Sequence, residues 1–348
     1  MRFYIKHIIV AVLTALPFIL LAQPRNAVMV IPDATKQKIA ITIGGRPFTE
    51  FIYTDTMEKP FLYPIYAPNG QTITRGFPWN PQPNDPVDHP HHIGLWFNYE
   101  NVNGLDFWNN SFAIAPEKKK QYGWIRTEKI IHTESGRQGK LVYAANWTDQ
   151  EKNVLLKEET TYIFSVAPNG ARVIDRNTKL TAVQDVSFPD AKDGMLGLRV
   201  AHELEMPVMQ TKEYKDDKGN ITKVPAVKDA SVTGNYLTSE GKTGDAAWGT
   251  RGSWCMMYGK KGGDTISIVM IDHPDNPGYP TYWHARNYGL FALNPLGQKV
   301  FSEGKQTLNY KLSKEQSATF RYRIVIASGK ERLPLDVLDK MVIDFAEH

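Results

Sequence analysis

The chain consists mostly of short runs that alternate apolar and polar residues, broken by Gly, Pro, Asn and Asp. KIAITIGGRPFTEFIY (38–53) reads as two strands turning at Gly44-Gly45. WIRTEKIIH (124–132), KLVYAANWT (140–148), VLLKEETTYIFSV (154–166) and ARVIDRNTKLTA (171–182) follow as a meander. LGLRVAHEL (196–204), TISIVMID (265–272), QTLNYKL (306–312) and ATFRYRIVIAS (318–328) continue the pattern. Period-two runs put alternate side chains on opposite faces, which indicates antiparallel sheets with one face buried and one wet. One segment departs from this. Leu335, Leu338, Met341, Val342 and Phe345 fall three or four apart behind Pro334, and predict a C-terminal helix that caps a sheet or barrel end. No fixed-period repeat and no long linker divides the chain. The polar stretch Thr211–Lys228 reads as a surface excursion. The expectation is a single all-β domain over residues 23–348, an antiparallel β-sandwich with long functional loops.

Residues 1–22 stand apart from this texture. Arg2 and Lys6 precede an uncharged apolar run from Ile8 to Leu21, and Ala22 closes it before Gln23. A basic start, a short apolar run and a small closing residue read as a secretory signal peptide. A membrane span needs about 18 or more apolar residues, and this shorter run contains Thr14 and Pro17. The mature protein is therefore expected to be periplasmic or secreted, with no membrane association after cleavage. The formal net charge of +4 includes two cations of the leader and offers no basic surface for nucleic acid. Cys255 is the only cysteine, so no intrachain disulfide can form and the core must supply the stability.

Candidate chemistry concentrates in VDHPHHIGLWFNYENVNGLDFW (87–108), which holds three of the nine histidines. On an extended segment His89 and His91 point together and His92 points the other way. Two imidazoles so placed can grip a divalent metal, with Asp88 or Glu203 completing the site, or can hold sugar hydroxyls or move a proton. The competing reading is that they cap loops around Pro90. A second Asp-His-Pro, Asp272-His273-Pro274, opens a segment that adds Tyr282, Trp283, His284, Arg286 and Tyr288. Arginine among aromatic rings suits a carboxylate or a sugar; the competing reading makes the rings core and Arg286 a surface cation. Cys255 reads as a buried thiol and no serine-hydrolase elbow is present. Glu158 and Glu159 face opposite sides of a strand and Asp175 reads as wet sheet surface, whereas Glu203 has His202 beside it.

These readings make His91, His92, Glu203, His273, His284 and Arg286 the candidate catalytic residues. Trp96, Asn103, Trp108, Asp272, Tyr282 and Trp283 are the candidate substrate contacts, and His89 with His91 the candidate metal pair. The two Asp-His-Pro loops are expected to meet in one pocket, because separate burial of so many polar groups is costly.

The blocks DHPHHIGLWF, NVNGLDFW, DAAWGTRGSWC and DHPDNPGYPTYWHARNYGLFALNPLG resemble those of a bacterial secreted family that carries the inherited name "methane oxygenase PmoA". The resemblance runs from about Phe48 to Ala327. It implies a β-supersandwich similar to the galactose mutarotase superfamily and a place among secreted sugar-degrading systems, and it assigns no catalytic residues. A membrane oxygenase subunit would need several spanning helices, which this chain lacks beyond its leader. The expected function is a periplasmic carbohydrate-active enzyme with lyase, epimerase or hydrolase chemistry on a small-molecule or oligosaccharide substrate. A divalent metal is the one cofactor the pattern admits. The alternatives are a non-catalytic sugar-binding protein and a structural metal protein.

Overall fold

The computed structural model describes residues 26–207, 211–215, 221–224 and 229–347. The expected signal peptide lies outside these residues. Two antiparallel sheets carry the architecture. The first runs, edge to edge, Val28–Asp33, Lys38–Ile43, Arg46–Ile52, Phe61–Ile65, Leu95–Tyr99, Gly194–Arg199, Leu290–Asn294, Thr281–Ala285 and Arg251–Gly252. The second runs Asn235–Thr238, Trp254–Lys261, Asp264–Asp272, Ser317–Gly329, Arg172–Ala182, Val154–Val166, Gly139–Thr148 and Trp124–Glu134. The expected meander is the stretch 124–182 of this sheet. The turn at Gly44-Gly45 is also present, and both glycines take positive φ (55° and 75°), a conformation that costs glycine little.

The sheets pack face to face. Phe97 of the first meets Trp147 and Phe320 of the second at 6.1 and 5.9 Å between ring centroids, within a continuous core. The C-terminal helix, Leu335–Ala346, lies on the second sheet's other face. Its Leu338 and Phe345 pack with Trp254, Met256, Val269, Ile271 and Val325. The excursion at 211–228 contains a small hairpin, Lys212–Lys215 paired with Ile221–Val224.

The register places the site. In the first sheet, Phe61 pairs with Trp96, Trp96 with Gly197, Gly197 with Ala292 and Ala292 with His284. Their chain neighbours Leu95, Phe97, Leu196, Leu198, Phe291, Leu293, Trp283 and Ala285 all belong to the core between the sheets. Alternation therefore turns the row Phe61–Trp96–Gly197–Ala292–His284 to the outer face. There Phe61, Trp96 and Ala292 pack with Trp108, Ile93 and Leu290 in a second apolar cluster.

Candidate functional site

His89, His91 and His92 do not sit on an extended strand. Pro90 fixes its own φ and seeds a tight turn, in which the His92 N–H donates to the His89 carbonyl (2.9 Å). His89 takes φ 45°. The turn gathers all three rings instead of splitting them. The His91 and His92 centroids are 4.3 Å apart, and His89 lies parallel to His92 at 4.8 Å. Stacking continues from His92 to Trp96 (5.4 Å) and from His89 to Tyr288 (4.9 Å), with Trp108 edge-on to His92. The result is a column of rings over the outer face of the first sheet.

Buried cations hold the turn. Arg75, whose side chain is fully buried, donates to the carbonyls of Pro86, Asp88, His89 and His92 and to Asp88 Oδ1, all at 2.8–3.0 Å. Lys59 donates to the carbonyls of His91 (2.8 Å) and Trp108 (3.4 Å). Arg199 reaches Asp88 Oδ1 (2.8 Å) and Glu205 (3.4 Å), and Glu205 in turn meets His202 at 3.1 Å. Burial works against the charge of Asp88, but the His89 hydrogen bond, Arg199 and Arg75 hold its carboxyl well below the usual range. The same surroundings disfavour imidazolium. Burial first, then neighbouring rings and the cations Lys59, Arg75 and Arg199, push His91 and His92 well below 6.5. Both rings are neutral bases at neutral pH.

His284 ends the row. Burial, Arg286, Lys192 and His89 push its imidazole well below 6.5. Asp193 Oδ1 stands 3.3 Å from His284 Nδ1. Neither ring nitrogen of His284 has a hydrogen-bond partner among the described residues, and the indole N–H of Trp96 on the same row has none either. A buried polar atom without a partner calls for an explanation, and a polar ligand supplies one. Asp193 is pushed up to about 7, chiefly by burial, with Lys192 and Arg286 opposing and Glu100 and Asp106 adding to the rise. His89, His91, Arg286 and Tyr288 are half-buried, while His92, Trp96, Trp108 and His284 are buried.

Other expected site residues lie elsewhere. His273 accepts from the Asp275 N–H (3.1 Å) and packs its ring edge-on to Phe345 of the C-terminal helix (5.2 Å). The two Asp-His-Pro loops therefore do not share a pocket: the second leaves a strand of the second sheet, and its downstream segment, with His284, Arg286 and Tyr288, returns to the first. Glu203 is paired with Lys261 (2.7 Å), and the carboxylate that joins the network is Glu205. Asn103 shapes a turn through the Asp185 carbonyl and Ser187, and Asp272 accepts from Asn276 (2.7 Å). Tyr282 stacks on Phe301 (5.2 Å), and Trp96, Trp108 and Trp283 are fully buried, Trp283 in the core between the sheets. His89 and His91 cross at 75° with centroids 5.7 Å apart, and His89 Nδ1 is bonded to Asp88. Among the described residues no group of three or more His, Cys, Asp or Glu side chains is placed to hold a metal. Lys59, Arg75, Asp193, Arg199 and Glu205 were not foreseen. Arg199 alone left a signal, as a charge inside the apolar run LGLRVA.

No curated protein matches the chain. Among solved structures it is similar to a GalM/aldose epimerase homologue from C. elegans, at 11% identity over 87% of this chain and 98% of that one, with a TM-score of 0.35. It is also similar to HI1317, at 10% identity over 86% and 99% of the two chains, with a TM-score of 0.29. The oxygenase name attached to the sequence resemblance receives no support from the family comparison, whose description states no activity. Residues 38–334 match the model described as "Family of unknown function (DUF6807)", and the chain belongs to that family.

Proposed function

We propose that the protein is an enzyme that transfers protons on a sugar or keto-sugar, with His284 as the catalytic base and acid. The observation that carries this reading is the buried, neutral His284, with Nδ1 3.3 Å from Asp193 Oδ1 and Nε2 without a hydrogen-bond partner among the described residues, on the row that floors the histidine column. A neutral imidazole can take a proton from a C–H next to a carbonyl or from an anomeric hydroxyl. Asp193 at 3.3 Å then stabilises the imidazolium that forms. The guanidinium of Arg286, whose charge both His284 and Asp193 sense, suits the oxyanion that develops on the substrate. Half-buried His91 would bind hydroxyls as a neutral donor and acceptor, with buried His92 behind it. Elimination, epimerisation and bond cleavage all begin with such a transfer. The leader-like first 22 residues support a periplasmic or secreted site of action.

The test is deuterium wash-in from D2O and product formation, followed by NMR, on panels of sugars and their keto derivatives. His284→Gln should lower turnover by about 10²–10⁴-fold, the range for a lost general base. Asp193 must be ionised to hold that imidazolium, so the acid limb of kcat/KM should fall near its value of about 7. Wild-type protein that binds a sugar but exchanges and converts none of the panel would make it a sugar-binding module.

A further inference from the structure

We propose that this face takes an oligosaccharide rather than a lone sugar, with Trp79 and Trp248 as stacking platforms at its two ends. The inference rests on the sugar reading above and names the size of the substrate. Sugar rings stack their apolar C–H face on an indole, which requires an accessible ring. The fully buried Trp96, Trp108 and Trp283 cannot offer one. Trp79 and Trp248 are 40% and 36% exposed, the two tryptophans among the exposed large apolar residues described.

Their positions are what matter. Trp79 packs edge-on against Phe61 (5.7 Å), the residue that begins the outer-face row. Trp248 packs on Phe301 (5.7 Å), which lies 6.0 Å from His284, the residue that ends it. The row crosses five strands, Phe61–Ile65 to Thr281–Ala285, and four spacings of about 4.8 Å make about 19 Å between its ends. One sugar ring cannot reach both platforms, whereas a chain of several can. Both rings are seated in advance, Trp79 by Phe61 and Trp248 by Phe301 and by the Arg286 guanidinium, which takes one of its two faces at 4.5 Å. Little ordering is then lost on binding. A protein partner would call for one contiguous apolar patch; here two separate rings flank half-buried imidazoles and charges. The arrangement is also asymmetric. The Trp248 platform adjoins His284, and the Trp79 platform lies across the sheet from it.

Isothermal titration with gluco-, xylo- and manno-oligosaccharide ladders, from monosaccharide to hexasaccharide, tests this. Wild-type affinity should rise with chain length in at least one ladder. Trp248→Ala should lower affinity about tenfold from the disaccharide upward, and Trp79→Ala about tenfold for the longer members only. Trp79→Phe, which keeps a ring, should retain most of the gain and serves if the alanine variant does not fold. Equal wild-type affinity for the monosaccharide and the hexasaccharide would overturn the inference and leave the proton-transfer reading standing. So would an undiminished length dependence in both alanine variants. Binding of no sugar of any length would overturn both.

Discussion

A carboxyl group buried away from cations behaves as a neutral acid, and Asp272 is one. Its Oδ1 accepts from Asn276 Nδ2, and its Oδ2 has no hydrogen-bond partner among the described residues. Burial pushes its pKa from 3.8 up to about 7, against weaker opposition from the Asn276 and backbone hydrogen bonds and from Arg251. Between those two values the folded protein holds a proton that the unfolded chain has released. Stability is therefore lost as pH rises from 3.8 to about 7, and stays lost above. Asp272→Asn keeps the shape and abolishes this dependence. Relative to wild type, the variant should gain stability steadily across that window, by up to a few kcal/mol, and level off above it. Urea unfolding at a series of pH values measures the gain, and a pH-independent difference would refute it. His91, His92 and His284 act in the opposite direction. Their pKa values are depressed in the fold, so below 6.5 the unfolded chain takes up protons first and acid removes stability.

At the scale of the strand, Gly197 shows how a missing side chain builds a site. Its neighbours Leu196 and Leu198 face the inter-sheet core, so Gly197 faces out, and a Cβ there would stand 2.5 Å from Trp96 Cζ2 and 2.8 Å from Trp108 Cη2. Gly197→Ala should therefore push both indoles from the His92 column at a cost of about 1–3 kcal/mol, typical of an overpacked core. A shift in tryptophan emission together with a lower unfolding midpoint would report it; an unchanged spectrum would count against it. The strand itself was legible, because period-two alternation records which face is buried. Its end was not: LGLRVAHEL reads as continuous strand to Leu204, but the strand stops at Arg199 and residues 202–204 form a short 3-10 turn. The side chain of Arg199 spans to Asp88 and Glu205, a pairing that no local pattern carries. The histidine turn was half legible. The cluster drew attention to its chemistry, but reading it as extended split three rings that Pro90 brings together. Asp193 and His284 are 91 positions apart in sequence. Only the pairing of Gly194–Arg199 and Thr281–Ala285 to either side of Leu290–Asn294 makes them neighbours.

Across the whole molecule, the first sheet has to hold its outer-face site rigid while its inner face packs on the second sheet. A polar group sits at that packing face. Glu158, read from sequence as facing the opposite side of its strand from Glu159, is 2% exposed between the sheets. Its Oε1 accepts from Arg176 (2.8 Å), Tyr143 (2.7 Å) and Thr160 (2.7 Å), and its Oε2 from Trp147 (2.8 Å). The Arg176 guanidinium lies 4.5 Å over Phe97, whose strand also carries Trp96 of the site. The pair thus joins the second sheet to the back of the strand that carries Trp96. A buried ion pair is weak evidence of net stabilisation, but loss of one member strands the other. Arg176→Met should therefore lower the unfolding free energy by about 3–5 kcal/mol, because Glu158 is left buried without its cation. Arg176→Met combined with Glu158→Leu removes both charges and should cost clearly less than the two single losses added together. Denaturant titration of the wild type, both singles and the double gives that coupling directly. Additive losses would mean that the pair does not act as a unit, and that the sheets are held in register by the surrounding aromatic packing alone.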